Sequence, residues 1–121
     1  MDAKGSLDEL LRVSEEVLAA VIFERGGEPN ASNLPDDAAR EIAGLGDAML
    51  VYADRLRRGV EVRQLRAVIP GGEVYVVRRG ERAVVAIALP GSLPGLVQHD
   101  LRMLLGNLSR PRRKAVAGAA A

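Results

Sequence analysis

The stretch that decides the fold covers residues 17–29 and reads Val17-Leu18-Ala19-Ala20-Val21-Ile22-Phe23-Glu24-Arg25-Gly26-Gly27-Glu28-Pro29. It begins with seven apolar residues in succession, a length and composition typical of a strand buried on both faces. Gly26-Gly27 supplies the positive φ angles that a two-residue hairpin turn requires. The stretch therefore predicts a central first strand over residues 18–25 and a hairpin into a second strand over residues 29–32. Since Pro29 has no N–H to donate, we expect the second strand at a sheet edge.

The rest of the chain predicts three helices and three further strands. Ser6-Leu7-Asp8-Glu9 has the pattern of a capping box, which predicts a first helix from Ser6 to about Glu16. A second helix is predicted from Pro35 to Arg57, and strands over residues 61–69, 74–79 and 83–89. Ser92 is placed to cap a third helix that Pro111 ends.

The second helix has two distinct faces at 100° per residue. Its predicted core face consists of Ile42, Leu45, Gly46, Met49, Leu50, Ala53 and Leu56, with Tyr52 at the margin. Its outward face carries a stripe of Gly44, Ala48, Val51 and Arg55, which Arg40, Asp47, Asp54 and Arg58 flank. Two interpretations of this stripe remain open: a contact surface for another helix, or an Ala/Gly-rich outer face that reflects coding bias.

The composition excludes several functional classes. The chain has no cysteine, which excludes a disulfide framework and a thiolate metal site and is compatible with a cytoplasmic location. The single histidine, His99, has no further metal ligands arranged near it, and the serines are interpreted as cap, helix or turn residues. No phosphate-binding loop occurs. We therefore predict no enzyme activity, no catalytic or metal-binding residues and no cofactor.

The charge distribution separates the body of the chain from its end. A formal net charge of +1 gives no overall electrostatic argument for nucleic-acid binding, and no apolar run approaches the ~20 residues of a membrane-spanning helix. Four positive charges are concentrated in Arg110-Pro111-Arg112-Arg113-Lys114, without nearby aromatic residues for base stacking. The predicted organisation is an N-terminal arm (1–5), one domain (6–109) and a disordered basic and Ala-rich tail (110–121).

The order helix, hairpin, helix, three-stranded meander, helix resembles the Roadblock/LC7 family over residues 6–108. The matching segments are Leu7–Leu11, Val17–Gly27, Ala31–Asn33, Gly95–Val97 and Asp100–Arg102. The resemblance implies an α/β fold with a five-stranded antiparallel sheet in the order 2-1-5-4-3. The long second helix would cover one face of this sheet and the other two helices the opposite face. Profilin-like and longin-like domains have a related architecture.

The resemblance also implies a function, because family members form dimers and bind Ras-like small GTPases or dynein subunits. We expect a non-enzymatic dimeric adaptor or regulator of a small Ras-like GTPase. Two alternatives remain open: a profilin-like small-molecule sensor, and a structural subunit that pairs with a paralogue. The expected contact surface, on the second helix and third strand, consists of Gly44, Asp47, Ala48, Val51, Asp54, Arg55, Arg58, Arg63, Leu65 and Arg66. The third strand lacks an interior proline, so its edge can pair with a second copy, although Arg63 and Arg66 are also compatible with edge protection.

Overall fold

The computed structural model describes residues 2–108, which form three helices and five strands. In chain order these are α1 (Ala3–Val13), β1 (Val17–Glu24), β2 (Glu28–Ser32), α2 (Asp36–Leu56), β3 (Gln64–Ile69), β4 (Gly72–Arg79), β5 (Arg82–Ala88) and α3 (Pro94–Asn107). The predicted tail, the end of the predicted domain at Ser109 and the predicted stop at Pro111 lie outside the described residues.

The strands form one sheet in the order β2-β1-β5-β4-β3, and every pair of neighbours is antiparallel. The order predicted from the resemblance is therefore confirmed. The two apolar strands β1 and β5 lie side by side near the centre of the sheet, while β2 with Pro29 lies at an edge. The other edge is β3, which begins at Gln64, three residues later than predicted.

The helices form one layer on each face of the sheet, as predicted. Ile22 and Tyr75 point into a hydrophobic cluster under α1 and α3, whereas Phe23 and Val76 point into a second cluster under α2. Each cluster combines buried residues of its helices with buried side chains from alternate positions of β1, β4 and β5. This two-sided burial explains why β1 and β5 are apolar at successive positions.

The β1–β2 turn is held against the outer part of α2. Gly26 and Gly27 have φ angles of 100° and 90°, a region that glycine adopts without strain. A Cβ atom at Gly27 would lie 3.3 Å from Gly44 Cα, and the backbone N–H of Gly26 donates to Asp47 Oδ1 over 2.9 Å. The turn therefore needs glycine both for its backbone conformation and for close contact with the helix.

The predicted N-caps of α1 and α3 are wrong. α1 begins at Ala3, so residues 3–5 belong to the helix, and Asp2 is its N-cap because its carboxylate accepts from Gly5 N over 2.7 Å. Ser6 is instead buried in the helix. α3 begins at Pro94 after Leu93, whose N–H donates to the Glu16 carboxylate over 3.1 Å. The Glu16 carboxylate thus bonds the N–H of the N-cap residue itself, and α3 has no side-chain cap of the kind that the sequence pattern predicts.

The predicted core face of α2 is also partly wrong. Its fully buried residues are Ala39, Ala43, Gly46 and Leu50. Leu45, Tyr52 and Leu56 are instead 49%, 63% and 67% exposed. A Cβ atom at Gly46 would lie 3.1 Å from both Phe23 Cζ and Val85 Cβ, which shows how closely the helix approaches the sheet. Because this close contact requires small residues, several large apolar residues lie on the outside.

Candidate protein-binding surface

The outer face of α2 carries an exposed apolar stripe. The predicted stripe residues Gly44, Ala48, Val51 and Arg55 are all exposed. Leu45, Tyr52 and Leu56, whose hydrophobicity predicts a place in or beside the core, extend this surface. The small residues at positions 39, 43 and 46 could have indicated which side of α2 is buried. They recur at helical spacing and mark the side of the helix that lies closest to the sheet.

The free edge of β3 adjoins this helix face. The carbonyl of Arg63 accepts from Arg78 N over 2.7 Å, so alternate residues from Arg63 onward direct their backbone groups towards β4. Gln64, Arg66 and Val68 consequently direct theirs away from the sheet. Leu65 is half-buried and packs, together with Met49 of α2, against the cluster under the helix. We call the exposed stripe of α2 and the β3 edge together the α2–β3 surface.

The two acids of the predicted contact surface, Asp47 and Asp54, form hydrogen bonds within the chain. Asp47 accepts from the hairpin turn, as described above, and Asp54 Oδ1 accepts from Val62 N over 2.8 Å and from Arg78 Nη2 over 2.7 Å. The Arg78 guanidinium and the Val62 N–H hold the pKa of Asp54 below its ordinary value. Asp47 and Asp54 therefore position the hairpin and the α2–β3 connection.

Arg66 belongs to a polar cluster on the other face of the sheet. Its Nε donates to Glu73 Oε1 over 2.9 Å, and the same oxygen accepts from Tyr75 OH over 2.7 Å. Glu73 also accepts from Gly91 N and from the Ser92 hydroxyl. Arg66, Tyr75 and the other donors lower the pKa of Glu73 to about 2. The cluster ties the β5–α3 loop to β4, with Ser92 as a buried bridge.

The other arginines in or beside the predicted contact surface project into solvent. Arg55, Arg58 and Arg63 are exposed, and none has a carboxylate within ion-pair distance among residues 2–108. Arg58 has a φ angle of 57°, so it occupies the left-handed conformation that ends α2. Arg40, by contrast, pairs with Asp37 over 2.8 Å.

The described part of the chain lacks two other kinds of site. Within residues 2–108, no three His, Asp or Glu side chains are grouped so that they would hold a metal ion. No helix in this range has both the length and the apolar character needed to cross a membrane.

Solved structures with the same architecture identify the fold. No protein-family model and no curated protein matches the chain. A Roadblock/LC7 domain from Streptomyces avermitilis is similar over 97% of this chain and 99% of its own, with a TM-score of 0.80 and 16% identity. Myxococcus xanthus MglB is similar over 84% of this chain and 87% of its own (TM-score 0.71, 14% identity).

A profilin shares the architecture less closely. Acanthamoeba castellanii profilin IB is similar over 80% of this chain and 88% of its own, with a TM-score of 0.57 and 17% identity. The similarity in overall structure is thus greater to the two bacterial proteins than to this profilin. The strand order, the placement of the three helices and these similarities together show that the chain has the Roadblock/LC7 fold.

Proposed function

We propose that this chain is a non-enzymatic cytoplasmic adaptor that forms a homodimer through the α2–β3 surface and binds a small Ras-like GTPase. The observation that carries the proposal is the exposed apolar stripe on α2 beside the open edge of β3. Large contiguous apolar patches on a protein surface mark interaction sites. In this protein the stripe lies on a helix whose opposite face is already packed against the sheet.

The composition of the stripe suits contact with a second copy of α2. A Cβ atom at Gly44 would meet no atom within 4 Å, so a partner helix has room to approach there. Ala48 continues this narrow part of the stripe, while Val51 and Tyr52 supply apolar area beside it. A two-fold axis through the stripe would bring each residue near its own copy or a neighbour, as in an isologous interface. The outward backbone groups of β3 would pair with those of the partner.

The proposed role towards a GTPase rests on the fold and on surface complementarity. The expectation of a GTPase partner comes from the family resemblance. A dimer would present two α2 helices and the exposed Arg55 and Arg58 on one platform. Such a platform would hold the switch loops of the GTPase in one arrangement, so that any faster hydrolysis would use the GTPase's own catalytic residues.

Cross-linking at single cysteines tests the dimer, because the natural chain has none. Ala48→Cys introduces a thiol in the stripe, and Val13→Cys introduces one at an exposed position of α1 on the opposite face. We expect a short bismaleimide to link two Ala48→Cys chains efficiently and to leave Val13→Cys monomeric on a denaturing gel. Equal cross-linking of the two variants, or none at Ala48→Cys, would contradict the proposed surface.

Binding to GTPases is tested separately. Each small Ras-like GTPase from the genome that encodes this chain is loaded with GDP or a non-hydrolysable GTP analogue and passed over the immobilised protein. We expect saturable binding of at least one GTPase, reduced by a Leu56→Arg substitution in the stripe and unchanged by Val13→Arg. Absence of binding across the panel would leave a structural subunit as the better interpretation of a confirmed dimer.

The sensor alternative finds no space under the middle of α2, whereas a cleft of about 210 Å³ lies between β2 and the start of α2, where Asn30, Ser32 and Arg40 are among its lining residues. Under the middle of α2, the contact of Gly46 with Phe23 and Val85 leaves no space for a ligand.

A further inference from the structure

A cleft lined by arginines lies on the face of the sheet that carries α3. Its walls are the start of β3, the end of β4 and the second half of α3. The lining residues are Arg63, Gln64, Val77, Arg78, Arg79, Arg102 and Leu105, and the cleft has a volume of about 230 Å³. Val77 and Leu105 also belong to the hydrophobic cluster under α1 and α3. We call this feature the arginine cleft.

Of the four arginines that line the cleft, Arg78 directs its guanidinium to Asp54 of α2 on the opposite face of the sheet, and the other three have no carboxylate partner among residues 2–108. Arg102 Nη1 donates over 3.0 Å to the neutral side chain of Gln64. Neither Arg63 nor Arg79 has an acidic group within ion-pair distance among residues 2–108. The lining itself contains no Asp or Glu. Like charges in one cleft repel one another, so an anion bound between them would be stabilised.

The dipole of α3 accounts for only one of the three arginines without a carboxylate partner. A Cβ atom at Gly106 would lie 2.9 Å from Arg79 Nη1, so the glycine leaves room for this guanidinium over the last turn of α3. A cation there interacts favourably with the helix dipole. Arg63 comes from the segment before β3 and Arg102 from the preceding turn of α3, and the dipole does not account for their presence in the same cleft.

We propose that the arginine cleft binds a small phosphate-bearing anion of the size of phosphate or pyrophosphate. Guanidinium groups donate paired hydrogen bonds to phosphate oxygens, and a phosphate dianion balances more of the cleft's charge than a carboxylate does. The volume is below the roughly 300–1,000 Å³ of pockets that enclose drug-sized ligands, which favours a compact group. Arg63 and Gln64 lie at the β3 edge of the proposed dimer, whereas Arg79 and Arg102, which the tests below change, lie outside the α2–β3 surface.

Titration calorimetry with the full chain tests the site, with pyrophosphate, inorganic phosphate and acetate as probes at constant ionic strength. We expect one saturable site per chain for pyrophosphate, with acetate binding more weakly. Arg79→Gln and Arg102→Gln should each weaken pyrophosphate binding about tenfold, the typical effect of one lost charge-assisted hydrogen bond. Arg12→Gln is the matched control, because it removes the same charge from an exposed position on α1.

Several outcomes would overturn the proposal. Pyrophosphate binding that falls equally in Arg12→Gln and Arg79→Gln would indicate general charge attraction. Acetate binding as tight as pyrophosphate binding, or no saturable heat, would also contradict it. Arg63, Arg79 and Arg102 are exposed, and circular dichroism of each variant checks that the fold is retained.

A flotation experiment distinguishes a free phosphate compound from a lipid headgroup. The probes are phosphatidylcholine vesicles with and without phosphatidate. Binding to phosphatidate vesicles that pyrophosphate displaces and Arg79→Gln abolishes would support the site and identify a headgroup as its ligand source. Pyrophosphate binding without vesicle binding would support the site with a free ligand. Vesicle binding that is equal in Arg12→Gln and Arg79→Gln, and that pyrophosphate leaves unchanged, would count against the cleft.

Discussion

The carboxylate of Asp54 in α2 lies 2.7 Å from the guanidinium of Arg78 in β4 and connects the helix layer to the sheet. The same carboxylate oxygen accepts from the backbone of Val62, in the segment between α2 and β3. The Arg78 side chain is almost completely buried and cannot be hydrated, so the Asp54 carboxylate is needed to compensate its positive charge. One acid therefore fixes the position of β3 relative to α2, the two elements of the proposed contact surface.

Removal of this acid should destabilise the fold. In Asp54→Ala the buried guanidinium of Arg78 loses its charged partner and the Val62 N–H loses its acceptor. We expect the melting temperature to fall by several degrees in circular dichroism. Asp8→Ala removes an exposed acid from an i,i+4 ion pair on α1 and should change the melting temperature little. Equal melting temperatures for the two variants would contradict a structural role for Asp54.

The Glu73 cluster predicts a specific dependence of stability on acid pH. Folding lowers the pKa of Glu73 from 4.5 to about 2, so its carboxylate stabilises the native state above pH 4.5. This contribution should be lost as the pH falls from 4.5 to about 2, where the native carboxyl also becomes protonated. The side chain in Glu73→Gln cannot ionise, so this variant should lack the loss of stability that Glu73 causes between pH 4.5 and about 2.

Urea unfolding of wild type and Glu73→Gln at a series of pH values measures the contribution. The difference between the two free energies of unfolding should be largest near neutrality and should shrink below pH 4.5. The comparison removes the parallel effect of Asp54, which is common to both proteins. A difference that stays constant from pH 7 to pH 2 would show that ionisation of Glu73 is not its source.

Two glycines of α2 should respond oppositely to alanine. Within the protomer, Gly44→Ala adds a methyl group into open space, so at concentrations that keep the chain monomeric the higher helix propensity should stabilise it by up to about 1 kcal/mol. Gly46→Ala gains the same propensity but forces the methyl group against Phe23 and Val85, and overpacking of this kind costs about 1–3 kcal/mol. We therefore expect Gly46→Ala to be less stable than wild type in urea unfolding. Stabilisation by both substitutions would contradict the close helix–sheet contact.

A charge in the exposed stripe should separate the proposed dimer without unfolding the domain. Val51→Arg places a guanidinium near its symmetry copy in an apolar contact, while the native Val51 side chain is already partly exposed in the protomer. Light scattering after size exclusion should give about twice 12.9 kDa for wild type and for the control Val13→Arg, and 12.9 kDa for Val51→Arg. A Val51→Arg protein that remains dimeric would contradict the stripe as the contact.

The fold could be predicted because the strands differ in their chemistry. The uninterrupted apolar runs of β1 and β5 indicate central positions, and Pro29 indicates an edge, all of which the sheet order confirms. The sequence pattern did not indicate hydrogen bonds between residues that are distant in the chain. Ser92 resembles a cap locally, yet Tyr75 and Glu73, distant in sequence, form its hydrogen bonds.

The helix faces were harder to predict because hydrophobicity and burial are not equivalent on α2. Leu45 and Leu56 are among its most apolar residues and are exposed, whereas Gly46 is buried because the helix lies so close to β1 and β5. A prediction from hydrophobicity alone therefore turns the large apolar residues of α2 towards the sheet. Size complementarity with Phe23 sets the actual orientation, and a single sequence does not show which residues the helix will meet.

The two edges of the sheet differ in a way that limits growth of an assembly. β2 is a five-residue edge with a proline at position 29, and a bulge between Ile22 and Phe23 interrupts its pairing with β1. β3 has a regular six-residue register without a proline. If two copies join through β3, the outer boundaries of the ten-stranded sheet are both β2 strands, which are poor templates for another chain. The association then ends at a pair, because neither outer edge readily pairs with a strand of a further copy.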